Sequence, residues 1–416
     1  MGETDGIINR EERKHLFSNF SWLFLLQMAS YLFPLMTIPY LARVIGADGL
    51  GKIAVASVIA TWVYTISDWG FKYTATRDMA RITSDKQAMA FLYSSVIYAK
   101  MFLFLLCLLF IGIASFFIPF LRDEATLLVF SLLVVLGRIL LAEWFYQSMG
   151  KMKYITIFNV LVRILFSLLV FLFITKKEDY YIQPLLLSSG FLISGIFSFL
   201  LMYKKWNITF QKSSLFSIKQ LLRSGFPVFL SGFMPNLYNS FSQCLLFYEG
   251  GSSASGRYDV GNKFFTFANQ LLSVVSVVFF PFLSQKISAH RLYALIAISL
   301  SVIFSSFLFF LGPIIFPYFF SGEFASSVVI MKILSLSLPF MVITSVYGTN
   351  YMVLNGMEKQ YSWIVSLISL IGFALSFPLI AYFHEWGMAI LLLGTRFLMA
   401  VLVYFYSSKK RWNEVL

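Results

Sequence analysis

The sequence predicts an all-α integral membrane protein of about twelve transmembrane helices. Three observations predict it. Of 416 residues, 59% are hydrophobic, mean hydropathy is +0.80, and only 12% are charged, against roughly 25% in a soluble domain. Runs such as Leu16–Ala42, Met101–Leu121 and Leu292–Gly322 carry no charge and exceed the ~18 residues that mark a spanning helix. Lysine and arginine, finally, concentrate in every second loop.

In chain order the expected helix cores are 17–39, 51–69, 89–118, 125–146, 154–174 and 184–203, then 224–247, 262–284, 292–317, 326–352, 361–382 and 387–407. Met1–His15 is polar, with no short apolar core and small-residue cleavage site after it, so the first helix is expected to be retained. Of the 32 basic residues, 20 fall in one set of loops, including Arg77, Lys151, Lys153, Lys204, Lys205, Lys219 and Lys359; seven fall on the opposite side and five within helices. Loops rich in Lys and Arg stay cytoplasmic, which places both termini there and agrees with an even helix count. The net charge of +13 is then mostly topology, and nucleic acid is not an expected partner.

No loop is long enough for a soluble domain. The basic loop 204–223 divides the chain into an N-terminal six-helix bundle, 1–203, and a C-terminal one, 224–416. Both start from the same side, so they read as parallel repeats. A faint echo supports the repeat: Gly51-Lys52-Ile53 after helix one resembles Gly256-Arg257-Tyr258 after helix seven.

Gly46 to Lys52 has the spacing of a nucleotide-binding P-loop, but Ile53 stands where Ser or Thr would hold magnesium, and an apolar helix precedes it. The glycines read instead as a tight connection between helices. Cys107 and Cys244 lie in apolar runs without metal or disulfide spacing. His15, His290 and His384 fall far apart in polar segments and read as surface residues. No metal or cofactor is expected. Pro34 and Pro39 in helix one and Pro227 and Pro235 in helix seven interrupt corresponding helices, where freed carbonyls either line a cavity or pack in protein.

Charges within the spans carry the functional reading, because a basic residue at the bilayer centre costs at least ~2.5 kcal/mol and normally faces protein or water. Arg163 lies about nine residues into helix five, roughly 13 Å deep. Arg138 in helix four and Lys100 in helix three reach a similar level. Asp68 and Glu143 lie nearer the cytoplasmic ends, suited to charge balance or ion coupling. Arg396 sits in the outer half of helix twelve, and Arg43 at the outer end of helix one. The cations line a central cavity or form structural salt bridges. Asn236, with Asn239 and Gln243, adds uncharged polar groups of the kind sugars need, although such groups also bond between helices.

Several short runs carry a resemblance: Pro39-Tyr40-Leu41-Ala42-Arg43-Val44-Ile45-Gly46, Trp69-Gly70-Phe71, Ala75-Thr76-Arg77-Asp78, Gly225-Phe226-Pro227, Gly261-Asn262-Lys263, Phe280-Pro281 and Asn355-Gly356-Met357-Glu358-Lys359. Together they resemble the Wzx-type repeat-unit flippases of the multidrug/oligosaccharidyl-lipid/polysaccharide exporter superfamily. The resemblance implies two six-helix bundles around a central cavity in the bacterial inner membrane. It also implies a transporter, not an enzyme, that moves an undecaprenyl-pyrophosphate-linked oligosaccharide such as an O-antigen unit from the cytoplasmic to the periplasmic leaflet. Polymerase and chain-length proteins of the same pathway are the implied partners. On this expectation Lys100, Arg138 and Arg163 receive the pyrophosphate, and Arg43 and Arg396 meet it nearer the outside. A drug or cation antiporter of the same superfamily would want acidic residues deep in the membrane, and few are present. A membrane polymerase or glycosyltransferase would want a sizeable extramembrane loop.

Overall fold

The computed structural model describes residues 10–285, 290–353 and 355–415, with the side chains of most of them. Among these residues the regular structure is helical, and eight helical stretches are long and apolar enough to cross a membrane. Divided at their kinks, and taken with the run Leu215–Gln285, they give twelve segments.

The first two form one helical run, Arg10–Asp68, broken only at Gly46 (φ 70°, ψ −177°). That conformation is essentially closed to residues with a Cβ, so glycine makes the corner between α1 (10–45) and α2 (47–68). The loop expected over 40–50 is therefore helical on both sides of one residue. After the short helix Phe71–Arg81 come α3 (Lys86–Ala114), α4 (Ala125–Ser148), α5 (Met152–Phe173) and α6 (Ile182–Trp206). Asp85 caps α3, its carboxylate accepting the amides of Gln87 and Ala88 at 2.9 and 3.1 Å, which satisfies donors that a helix start leaves open. Asn207, left-handed at φ 54°, ends α6, a conformation that asparagine tolerates better than most residues.

The second half repeats the first corner. Leu215–Gln285 breaks only at Gly251 (φ 80°, ψ 172°), giving α7 (215–250) and α8 (252–285). Gly46 and Gly251 thus share one backbone conformation at matching places in the two halves. Then follow α9 (His290–Phe319), α10 (Gly322–Met352), and a run, Glu358–Val415, divided at His384 (φ 46°, ψ −124°) into α11 (358–383) and α12 (385–415). α9 and α10 carry π-helical turns at Phe307–Leu311 and Ser345–Met352.

By contact the chain forms two units, Met1–Tyr40 with Ala56–Gly232, and Leu41–Val55 with Phe233–Leu416. The corner between α1 and α2 thus packs with second-half residues, although it is first-half sequence.

In the first unit α4 and α6 cross closely at two glycines. A Cβ at Gly137 would lie 2.6 Å from the Phe191 carbonyl carbon, and one at Gly195 would lie 2.6 Å from the Gly137 oxygen. Leu141, Val162 and Phe191 pack at this crossing, and a larger core forms from Phe71, Met79, Tyr93, Val96, Val135, Phe145 and Tyr146. Large apolar side chains such as Phe102, Leu109 and Phe110 stay exposed along α3, as lipid-facing positions should.

In the second unit the α1–α2 and α7–α8 corners meet backbone to backbone. A Cβ at Gly51 would stand 1.7 Å from the Ser252 oxygen, and one at Gly256 would stand 2.0 Å from the Ala47 oxygen. Each would also lie 2.9 Å from the other glycine's nitrogen. The contact is reciprocal. It is made by the residues whose echo is visible in the sequence. His290 departs from its expected surface position. It is buried, with Nε2 3.0 Å from the Val346 oxygen and its ring against Tyr293, Tyr347 and Tyr351. His384 is exposed, and the His15 side chain falls outside the described residues.

Candidate functional site

The first unit gathers its intramembrane charges around Tyr64 on α2. Lys100 of α3 is 3% exposed, and its Nζ lies 2.6 Å from Asp68 Oδ1. Asp68 stands at the end of α2, one helical turn beyond Tyr64, so both reach the same face. The second Asp68 oxygen accepts the Lys72 amide at 3.3 Å. Glu143, just after the left-handed Ala142 (φ 47°), accepts Asn159 Nδ2 of α5 at 2.7 Å, and that same nitrogen donates to the Ile155 carbonyl.

Arg138, one turn before that break in α4, spreads its guanidinium over Tyr64 and Phe191 at 4.9 and 5.0 Å from their centroids, a cation–π arrangement. Arg163 of α5 is half-buried, with its Nε shielded from solvent. The cluster therefore holds two carboxylates among its basic groups, and Lys100 is already neutralised by one of them.

Below this cluster two sequence motifs prove to be one contact. Trp69 and Gly70 are both left-handed, at φ 47° and 78°. The Trp69 indole donates to the Leu222 carbonyl at 2.8 Å and stacks on Phe229 at 4.3 Å and 8°. A Cβ at Gly225 would lie 2.6 Å from the Trp69 carbonyl oxygen, so the Trp-Gly turn seats on the Gly225-Phe226-Pro227 segment within α7.

In the second unit Arg43 is exposed and serves a helix end. Its Nε and Nη2 donate to the carbonyls of Phe319 and Tyr318, at 3.0 and 2.6 Å, where α9 leaves carbonyls without intrahelical partners. The Gly46 corner is filled by an acid of the protein itself. Ala47 N donates to Glu323 Oε1 at 3.1 Å, and a Cβ at Gly46 would meet that carboxylate at 3.2 Å. The α2 N-terminus therefore has its anion already, which agrees with rejecting a P-loop. Ser252 donates to Asp48, Asp48 pairs with Lys52 at 3.5 Å, and Arg257 pairs with Glu385 at 2.9 Å. Gln243 of α7 donates to Ser255 Oγ of α8 at 2.8 Å, an interhelical bond. The Asn236 side chain falls outside the described residues.

Arg396 of α12 differs from the others. Its guanidinium lies 5.6 Å from the Phe265 centroid, and its shielded Nε has no hydrogen bond among the described residues. Nearby, a Cβ at Gly372 of α11 would lie 3.0 Å from the Thr395 side chain and 3.1 Å from the Tyr238 ring, and Tyr258 of α8 is buried.

The sequence reading set Lys100, Arg138 and Arg163 at one level, with Asp68 and Glu143 nearer the cytoplasmic ends; the structure pairs Lys100 with Asp68 and lays Arg138 over Tyr64. Sequence reasoning missed Tyr64, Asn159, Glu323, Tyr238 and Tyr258. Tyr64 carried one signal, its four-residue spacing from Asp68; the rest are joined by tertiary contacts that no local pattern marks. Among the described residues, no group of three His, Cys, Asp or Glu is placed to hold a metal ion.

Comparison with known proteins bears on this arrangement along nearly the whole chain. A protein of Escherichia coli (strain K12) with the provisional name of O-antigen transporter is 27% identical over 397 residues, covering 93% of this chain and 95% of its own. One of Shigella dysenteriae with the same provisional name is 26% identical, covering 92% and 98%. Among solved structures, the lipid II flippase MurJ in an inward closed conformation superposes with TM-score 0.74 at 16% identity, over 94% of this chain and 87% of that one. An inward-facing multidrug resistance MATE family transporter of the MOP superfamily superposes with TM-score 0.66 at 15% identity, over 92% and 98%. The fold is thus that of these multi-pass membrane transporters. The model of the polysaccharide biosynthesis protein family matches residues 16–287, and the chain belongs to that family.

Proposed function

We propose that this protein is a flippase. It moves an undecaprenyl-pyrophosphate-linked oligosaccharide repeat unit from the cytoplasmic to the periplasmic leaflet of the bacterial inner membrane, by alternating access. The observation that carries the reading is the set of basic side chains within the spans of a chain similar over nearly its whole length to proteins with the provisional name of O-antigen transporter. A diphosphate is a compact anion, and guanidinium and ammonium groups in a low-dielectric site hold it while its lipid tail stays in the bilayer. With the inside negative, outward movement of two negative charges is favoured by ~4.6 kcal/mol per 100 mV if both cross the full field.

Both termini lie on the cytoplasmic side on this reading, as the distribution of basic loops requires. Arg138, Arg163 and Arg396 meet the diphosphate, and Asn236 meets the sugar. Lys100, committed to Asp68, and Arg43, committed to the end of α9, contribute by balancing charge and holding shape. Polymerase and chain-length proteins that use the delivered unit are the expected partners.

The test is complementation of a strain lacking its repeat-unit flippase. Restored surface polysaccharide supports the reading. Absence of polysaccharide from cells that hold the protein at wild-type flippase levels, with resistance to cationic drugs gained instead, favours the antiporter.

A further inference from the structure

We infer that the first unit carries a docking surface for the headgroups of anionic phospholipids, at the end of α5 and α6 that the basic loops assign to the cytoplasm. Four lysines build it: Lys151 and Lys153 at the start of α5, and Lys204 and Lys205 in the last turn of α6. All four are exposed, and among the described residues none of them pairs with a carboxylate. No acid stands in the first turn of α5 to offset them.

Aromatic rings hold two of the ammonium groups in place. Lys205 donates to the Tyr154 hydroxyl and lies 5.0 Å from the Tyr154 centroid and 5.4 Å from that of Trp206. Trp206 in turn packs edge-on against Tyr154 and Tyr146, at 5.5 and 5.8 Å. Lys153 lies 5.6 Å from the Trp22 centroid, and Thr156 donates to the Trp22 carbonyl at 2.8 Å, which ties α1 to α5. Tryptophan and tyrosine gather where hydrocarbon gives way to headgroups, and here they mark that level on three helices.

The apolar faces of the same helices lead to the lysines. On α6, Phe197 and Leu200 are exposed, and Lys204 follows at the same spacing of three or four residues. On α5, exposed Leu165 and Leu161 continue through half-buried Ile157 to Lys153 in steps of four. At 1.5 Å per residue, Lys204 lies ~6 Å beyond Leu200 and Lys153 ~12 Å beyond Leu161. A long ammonium side chain at that height reaches the phosphate layer while its stem stays on the apolar face. An acidic protein partner would meet the same charge, but faces immersed in hydrocarbon up to their last turns present these lysines to the bilayer. A zwitterionic headgroup cancels its own charge, whereas an anionic one keeps a net charge for the lysines to hold.

The test is native mass spectrometry of the full-length protein titrated with phosphatidylglycerol, with phosphatidylethanolamine as the zwitterionic control. Wild type is expected to hold the anionic lipid at least tenfold more tightly. A lysine beside an anionic surface is worth about fivefold in affinity. Lys153→Gln/Lys205→Gln should therefore lower phosphatidylglycerol affinity by about tenfold or more and leave phosphatidylethanolamine unchanged. Lys151→Gln/Lys204→Gln, which leaves the ring contacts of Lys153 and Lys205 in place, should lose a similar amount. Arg81→Gln/Lys359→Gln removes two exposed charges from other basic loops and should stay within twofold of wild type. Equal losses in all three double variants, lysine variants within twofold of wild type, or no preference of wild type for phosphatidylglycerol would each overturn the docking surface.

Discussion

Replacing Asp68 with asparagine should destabilise the protein more than almost any other isosteric change. The carboxylate lies 2.6 Å from Lys100 Nζ, and the two side chains are 14% and 4% exposed. Asparagine keeps the shape and removes the charge, so an ammonium is left among apolar helices without its counter-charge. Breaking such a buried pair costs about 3–5 kcal/mol. At about 2–4 °C per kcal/mol for a unit of this size, the melting temperature in detergent should fall by roughly 6 °C or more. The double variant Asp68→Asn/Lys100→Met removes both charges and should return close to wild type, since a well-packed apolar pair often matches a buried ion pair. Thermal unfolding followed by size-exclusion fluorescence reads all three proteins. A single variant that melts within about 1 °C of wild type, or a double variant that melts lower than the single, would refute the claim that this pair is mutually required.

Three further outcomes follow from the backbone contacts. Gly51→Ala or Gly256→Ala places a methyl group 1.7–2.0 Å from a carbonyl oxygen and should cost about 1–3 kcal/mol by overpacking. Gly112→Ala, within α3 and with nothing inside 4 Å of the new carbon, should be neutral or slightly stabilising, and melting temperatures compare the three. Trp69→Phe keeps the stack on Phe229 but loses the indole bond to Leu222. It should cost about 1 kcal/mol, against about 3–5 kcal/mol for Trp69→Ala, both read by denaturant midpoints. Glu323→Gln removes the negative charge at the α2 N-terminus and should weaken the corner by about 0.3–2 kcal/mol, seen as faster hydrogen exchange of the Ala47 amide with little change in amides of α5.

Much of the fold was legible because its signals are local. Apolar runs mark the spans, and the structure begins and ends most of them within a few residues of the expected places. The corners were less so. A stretch such as 40–50, with Arg43, Asp48 and two glycines, reads as a loop, yet helix continues on both sides of Gly46. One residue in a conformation that only glycine adopts replaces a whole connection, and composition does not distinguish the two. The pairing of charges was also hidden. Asp68 and Lys100 are 32 positions apart, and Trp69 and Leu222 are 153 apart. Asp68, Lys100 and Trp69 were each singled out for their own chemistry or motif and Leu222 was not; only the fold makes them partners. Glu323 carried no signal, since an acid between two spans is an ordinary solvated residue until a helix start is brought to it.

That difference matters most where charge is used to infer function. Counted along the sequence, Arg43, Lys100, Arg138, Arg163 and Arg396 are equivalent candidates for an anionic cargo. Counted with their partners they are not. Lys100 must abandon a carboxylate before it can hold a phosphate, and Arg43 must abandon two carbonyls at the end of α9. Arg138 already has two aromatic faces. Among the described residues Arg396 has one aromatic ring and no ion-pair partner to give up. An anion gains most from the cation whose existing partners contribute least, because the interaction it replaces is subtracted from the one it makes. The same reasoning assigns the first unit's charges a different physical part. Two carboxylates among basic groups hold α2, α3, α4 and α5 in register around Tyr64. Such a network resists rearrangement because losing any one member strands another in a medium that cannot solvate it.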